Sequence, residues 1–236
     1  MKLKILGKYG PFAINGQGTS SYLIESNKSC VLLDVGSSSV SKMLSQIDIN
    51  NLKFVVLSHL HFDHVSDIFI LSYAVSFLKL DKKLKVYMCD DGSKIAELIK
   101  SIEVFDIVNI KTGEIYNDSG FTFSFYKMAH PVLSHGIKIS NGFKTLSYTG
   151  DTTINGDIDN LVKGSDLILA DGCFLENDYS QTKPHMSVKQ VCNIANNYKI
   201  KTILTHISFN YLDKDVLKEI DSDFVSLALE GDEYYL

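Results

Sequence analysis

Short apolar runs alternate with amphipathic ones along this chain. Leu3–Leu6, Tyr22–Ile24, Val31–Leu33 and Phe54–Leu57 are brief and rich in branched residues, the pattern of buried strands. Val40–Ile47 and Ile68–Leu78 have helical spacing, and the second is apolar enough to predict a mostly buried helix. Leu84–Met88 reads as a strand and Ser93–Ser101 as a helix. Phe121–Met128, Ile137–Ser140 and Thr145–Tyr148 read as a meander of strands. Leu167–Ala170 and Thr202–Leu204 are short buried strands on either side of a helix at Ser187–Asn197. A last helix, Lys214–Ile220, leads to a strand at Val225–Leu229. Hairpin-like runs followed by β-α alternation thus occur twice. That order predicts an α/β fold of two mixed β-sheets with helices outside, as one domain over residues 1–236. No Pro-rich or Gly/Ser-rich linker, solenoid-period repeat or low-complexity tract interrupts it.

A chain of 236 residues buries a substantial core unaided, so a metal would serve chemistry rather than folding. The net charge is −5, and all 23 basic residues are lysine. Planar, bidentate clamping of phosphate is an arginine speciality. Without arginine or a basic run, a long nucleic acid is not an expected partner. The cysteines, Cys30, Cys89, Cys173 and Cys192, are scattered and form no CxxC, so neither a disulfide framework nor a zinc ribbon is indicated. Met1–Tyr9 alternates lysine with apolar residues and has no continuous apolar core, unlike a signal peptide. Ile68–Leu80 is too short to span a membrane. These features predict a cytoplasmic protein with no membrane association. The apolar Ile68–Leu78 segment would serve equally as core or as the interface of a homodimer.

Candidate chemistry concentrates in Val55-Val56-Leu57-Ser58-His59-Leu60-His61-Phe62-Asp63-His64. An apolar strand ends, and side chains able to bind metal follow at once. On extended backbone His59 and His61 point to the same side. The turn after them can aim Asp63 and His64 at a second point nearby. Imidazole and carboxylate suit zinc, iron or manganese, and the absence of cysteine here argues against a structural zinc site.

This HxHxDH run resembles the signature of the metallo-β-lactamase superfamily. The resemblance covers nearly the whole chain and implies a four-layer αβ/βα sandwich with metals at one edge between the sheets. It also implies further ligands in a set order: His130 in Met128-Ala129-His130-Pro131, Asp151 in Thr149-Gly150-Asp151-Thr152, and His206 in Thr205-His206-Ile207-Ser208. By that resemblance His59, His61 and His130 hold one metal, and Asp63, His64 and His206 hold the other. Asp151 bridges them. Two divalent ions, Zn2+ first with Mn2+ or Fe2+ as alternatives, would share a hydroxide and polarise the substrate, with Asp63 counted among the catalytic groups. Asp34, in Leu33-Asp34-Val35-Gly36, matches a position that supports the metal loop.

The branch can be narrowed. Residue 61 is His, where the redox di-iron flavoprotein branch has Glu, and Asp151 stands where the antibiotic-hydrolysing branch mostly has Cys. Leu169-Ala170-Asp171-Gly172-Cys173-Phe174, Pro184-His185-Met186-Ser187 and Thr205-His206-Ile207-Ser208 are similar to segments of ribonuclease Z and its relatives, which cleave phosphodiesters. Asp171 replaces that group's Glu. The resemblance makes His185 the general acid and Asp171 its partner, since an expelled alkoxide needs a proton and a carboxylate favours a protonated imidazole. Ribonuclease Z carries a long tRNA-gripping arm between the third His and the bridging Asp, whereas here 20 residues separate His130 from Asp151. The resemblance therefore implies an arm-less phosphodiesterase acting on small cyclic or nucleotide-type phosphodiesters. A lactonase or thioesterase on the same metals is the main alternative, and a ribonuclease Z-like RNA nuclease another. Of the remaining features, His135 reads as a surface or supporting residue. Asp67 reads as a helix cap or a support to the metals, and Gly16-Gln17-Gly18-Thr19-Ser20 as a plain loop rather than a phosphate cradle.

Overall fold

A strand buried at every position needs cover on both faces, and Val31–Leu33 and Phe54–Val56 are of that kind. The computed structural model describes residues 1–78, 80 and 82–236 and supplies that cover. The first half of the chain runs β1 (Lys2–Gly10), β2 (Gly18–Thr19), β3 (Ser21–Ser26), β4 (Ser29–Leu33), α1 (Ser39–Leu44), β5 (Leu52–Val56), α2 (Phe62–Val65), α3 (Ile68–Phe77), β6 (Leu84–Met88), α4 (Lys94–Lys100) and β7 (Phe105–Asn109). The second half runs β8 (Ile115–Asp118), β9 (Phe121–Met128), β10 (Ser134–Ser140), β11 (Thr145–Tyr148), α5 (Ile158–Val162), β12 (Leu167–Asp171), α6 (Val188–Tyr198), β13 (Lys201–Thr205), β14 (Ile207–Ser208), α7 (Asp213–Glu219), β15 (Val225–Leu227) and β16 (Glu233–Tyr235).

Each half supplies most of one mixed sheet, and β14 and β16 of the second half join the first sheet. The first has the order β14-β1-β3-β4-β5-β6-β7, with β2 and β16 also pairing β1, and the second has β15-β13-β12-β11-β10-β9-β8. In both, an antiparallel meander passes into parallel strands joined by helical crossovers. Alternation along the strands sorts side chains between a core shared by the sheets and a helix-covered core on the outer face of each. Tyr22, Ile24, Phe54 and Val56 meet Phe123, Phe125, Ile137 and Tyr148 between the sheets. Leu23, Val55 and Leu57 face α1, α3 and α4 instead, and Ile168, Ala170 and Leu204 face α5 to α7 on the far side. The result is the expected αβ/βα sandwich. Ser187 caps α6 with a reciprocal capping box to Gln190.

Four expectations need correction. Helix α3 is not mostly buried: Ile68, Leu71 and Val75 are, but Ile70, Tyr73 and Phe77 are 57%, 66% and 76% exposed. An apolar composition without period cannot reveal which side faces water. Asp67 sits at the N-cap position of α3 without a side-chain cap bond; its Oδ2 accepts instead from Val40 N of α1 at 3.1 Å. His135 is not on the surface but 1% exposed, because β10 pairs on both edges and its own amide donates to Ser58 O. The glycine-rich segment is not a plain loop throughout, since Gly18–Thr19 forms β2 against β1, and Gly18 N donates to the Glu230 carboxylate at 2.7 Å, so an acidic group already takes that amide. No helix among the described residues is long and apolar enough to cross a membrane.

Candidate metal centre

The chemistry lies at the carboxyl ends of strands. His59 follows β5, His130 follows β9, Asp151 follows β11, Asp171 closes β12 and His206 follows β13. Open α/β sheets present binding groups at the carboxyl ends of their strands, because the chain leaves the sheet there in short loops. Between His59 and His61, Leu60 turns into the helix-side core and holds the loop extended. His61 is the N-cap of helix α2, which brings Asp63 and His64 round to the second cluster.

The first cluster gathers ring nitrogens. His61 Nδ1 lies 3.1 Å from both His59 Nε2 and His130 Nε2. Asp151 Oδ2 stands 3.5 Å from His59 Nε2 and 3.8 Å from His130 Nε2. In the second cluster, His206 Nε2 is 3.1 Å from Asp63 Oδ2 and 3.3 Å from Asp151 Oδ2. His64 Nε2 is 3.2 Å from Asp151 Oδ1 and 3.6 Å from Asp63 Oδ2. Asp151 therefore touches both clusters, the first through Oδ2 and the second through both oxygens.

These residues fit divalent cations. Ligands on a tetrahedral ion with bonds of about 2.1 Å stand about 3.4 Å apart, and the separations above bracket that value. Buried His64 Nε2 and Asp151 Oδ1 have no hydrogen-bond partner. Burying unpartnered polar atoms costs free energy, and a shared cation would satisfy both. His135 joins neither group; its Nε2 meets Thr112 Oγ1 at 3.0 Å, and burial lowers its imidazole to about 4.

Supporting contacts fix the rings. Asp34 is fully buried directly after β4 and accepts from Ser58 N at 2.7 Å, Ser58 Oγ at 2.8 Å, His64 Nδ1 at 2.7 Å and Tyr148 OH at 2.7 Å. It thereby fixes His64 with Nε2 towards the cluster. Ser58 Oγ also meets His59 Nδ1 at 3.1 Å, and Pro184 O meets His130 Nδ1 at 3.1 Å. Both Asp34 (φ 55°) and His206 (φ 54°) adopt left-handed backbone, a conformation that costs L-residues roughly 1–2 kcal/mol. Sequence reasoning flagged Asp34 but missed Ser58, Tyr148 and Pro184. It also missed Gly10, where a Cβ would collide with the His206 ring. Replacing Asp34 with alanine strands four donors and is expected to weaken metal affinity about 10- to 100-fold. Competition with a chromophoric chelator measures this; unchanged affinity would deny Asp34 its supporting role.

The electrostatics divide the histidines. Burial pushes His59, His61 and His130 below the ordinary histidine value, His59 furthest. Burial also acts to lower His64 and His206, but Asp151 and the neighbouring carboxylates outweigh it and hold both well above. Asp151 and Asp63 resist burial's upward pull because charge on His64 and His206 keeps them ionised. A cation entering must displace the protons on His64 and His206. Apparent metal affinity is therefore expected to rise with pH and to fall as pH drops, and loading should release protons. Calorimetric titration in buffers of different ionisation enthalpy counts them; pH-independent affinity with no proton release would contradict this reading.

Beside the clusters, His185 Nδ1 lies 2.8 Å from Asp171 Oδ2. Asp171 is buried and also accepts from Thr152 N at 3.1 Å and Cys173 N at 3.2 Å, which fixes the carboxylate. His206 Nδ1 is 3.6 Å from Asp171 Oδ1, too long for a hydrogen bond. His185 lines a cavity of about 370 Å³ together with His61, Asp63, His130, Asp151 and His206. Cys173 and Phe174 also line it, and neither was singled out from the sequence as a site residue. Burial pushes the Cys173 thiol up, which keeps it protonated and unlike a nucleophile.

The fold and these clusters have known counterparts. Residues 31–207 match the Beta-lactamase superfamily domain. The chain is 30% identical to the probable metallo-hydrolase YhfI of Bacillus subtilis (strain 168), over 98% of each chain. It is 25% identical to ribonuclease Z of Saccharolobus solfataricus, over 82% of this chain and 84% of that one. The crystal structure of the metallo-beta-lactamase fold protein YhfI from Bacillus subtilis superposes with a TM-score of 0.90 at 27% identity, covering 99% of this chain and 98% of the other. With two mixed sheets, helices outside and divalent-metal clusters of histidine and aspartate at one sheet edge, the chain belongs to the beta-lactamase superfamily and has the metallo-β-lactamase fold.

Proposed function

We propose that the protein is a dinuclear metal-dependent phosphodiesterase acting on small cyclic or nucleotide-type phosphodiesters. The coarser class, a metallo-hydrolase, agrees with the similarity to YhfI. The observation that carries the finer reading is the His185–Asp171 pair at 2.8 Å in the same cavity as both clusters. A thioester, which releases a thiolate, has little need of such a pair; a phosphodiester expelling an alkoxide needs a proton donor.

In this reading His59, His61 and His130 hold one ion, Asp63, His64 and His206 hold the other, and Asp151 touches both. Zinc suits the donor set best, with manganese or iron as substitutes. When bound, the ions supply a nucleophilic water near neutral pH and polarise the phosphoryl oxygens. The protein's own groups do the rest. Asp63 and Asp151 offset charge within the centre, and Asp34 and the Pro184 carbonyl keep His64 and His130 in the binding orientation. His185 Nδ1 is engaged by Asp171, and its Nε2 makes no hydrogen bond among the described residues. That leaves Nε2 to carry the proton passed to the departing oxygen.

A lactonase or thioesterase finds support in one observation: Pro11, Pro131, Pro184, Phe174 and Phe209 make much of the cavity wall apolar. Loading the metal-stripped protein with Zn2+ or Mn2+ and assaying a 2′,3′-cyclic nucleotide beside a lactone, a thioester and a precursor tRNA decides among the readings. Metal-dependent turnover of the cyclic nucleotide supports the proposal. Turnover of only the lactone or thioester would replace it, and processing of the tRNA would restore the nuclease.

A further inference from the structure

The far wall of the cavity is aromatic, and strand pairing builds it. Strands β1 and β14 run parallel in the register Tyr9↔Ile207 and Gly10↔Ser208. The residues just beyond meet as a result: the Phe12 and Phe209 rings lie 4.4 Å apart at 35°. Ser208 N donates to Cys173 O at 3.3 Å, which ties this corner to the loop bearing Phe174. Phe174 and Phe209 line the cavity, and Phe12, 48% exposed, packs against one face of Phe209 and backs it.

The charges on the wall are equally informative. Among the described lining residues there is no lysine, and the carboxylates are Asp63 and Asp151, both in the clusters. Lys183 stands nearby, but its ammonium lies over the Phe174 ring, 5.0 Å from the centroid. Two divalent ions against two carboxylates leave enough positive charge for an activated water and one phosphodiester anion. A second phosphate on the substrate would find no cation among the described lining residues and would have to draw Lys183 off the Phe174 ring.

We propose that Phe174, Phe209 and Phe12 form a selecting wall that takes phosphodiesters with one negative charge and one flat ring, aryl or nucleobase, over ringless or multiply phosphorylated esters. The proposal rests on the phosphodiesterase reading, and it gives that reading a substrate class. Base–aromatic stacking is sequence-tolerant and strong enough to change affinity about tenfold or more per ring.

The test uses the zinc-loaded protein and two readouts. Saturation-transfer NMR measures binding of thymidine 5′-methylphosphonate, phenyl methylphosphonate and methyl methylphosphonate, which share one charge and differ in the ring. Kinetics compare thymidine 5′-(p-nitrophenyl phosphate) with its 3′-phosphorylated form. The expected result is at least about tenfold tighter binding of a ringed phosphonate than of the methyl one, with the added 3′-phosphate giving no lower KM. Whether thymidine or phenyl binds better distinguishes nucleobase from aryl. Phe209→Ala should shrink the ringed-to-ringless preference towards one, and Phe209→Leu, which keeps apolar bulk without a ring face, should do the same if the effect is stacking. Equal binding of ringed and ringless ligands, a preference untouched in both variants, or tighter binding with the 3′-phosphate would each overturn the proposal. If no ester turns over but the ring preference in binding persists and depends on Phe209, the wall stands and the phosphodiesterase reading falls.

Discussion

Asp151→Ala is expected to remove both metal loading and turnover. Its carboxylate reaches His59 and His130 in one cluster and His64 and His206 in the other, at 3.2 to 3.8 Å. No other described side chain touches both clusters in this way. Loss of a mere supporting contact costs about 10- to 100-fold in affinity or activity, so loss of the shared carboxylate should exceed about 100-fold. The buried imidazoles of His64 and His206 would also lose the anion that most raises them. Metal content by mass spectrometry after gel filtration, with turnover measured in parallel, checks both parts. Two retained ions per chain together with near-normal turnover would remove Asp151 from the centre.

His185→Ala should separate chemistry from metal binding. If Nε2–H protonates the leaving oxygen, cleavage of a 2′,3′-cyclic nucleotide slows by about 100-fold or more, the usual worth of general acid catalysis. A p-nitrophenyl ester leaves as a stable phenolate and should slow far less. Metal content should stay unchanged, which matters because His185 lies close enough to Asp151, Asp171 and His206 to be imagined as a ligand. A variant that loses an ion, or one that slows both esters equally, would assign His185 to metal binding or positioning instead. Asp171→Asn keeps the shape but removes the charge beside His185 Nδ1. It should reproduce the leaving-group dependence in weaker form.

Much of this site is legible in the amino-acid sequence, for physical reasons. A strand ending in HxHxDH leaves few geometries for its side chains, since alternation puts His59 and His61 together and a helical turn brings Asp63 and His64 round. The double order of meander then crossover is legible because apolar strands buried on both faces stand out as continuous runs. Strands β7 and β8 are not: they lie at sheet edges, and their side chains are half exposed and mixed in character. The exposed side of α3 is hidden because apolar residues surround the whole helix. Nor does the sequence reveal Gly10 beside the His206 ring, or the meeting of Phe12 with Phe209. Both depend on the pairing of β1 with β14, strands separated by nearly the whole chain. Contacts of that range leave no local pattern.

The centre draws its ligands from both halves of the chain, His59 to His64 from one and His130, Asp151 and His206 from the other. Asp34 after β4 already reaches across to Tyr148 at the end of β11. A bound ion would therefore act on the folding landscape as a reversible crosslink, closing a loop as long as that between His59 and His130, or between His64 and His206. Crosslinks over long loops act mainly by restricting the unfolded chain, and ligands specific for the native state add stability by mass action. Without the ions, the two sheets should still form but should open more independently. Native-state hydrogen exchange would then register chelation as faster exchange at the ends of β5, β11 and β13 together, far more than at their middles.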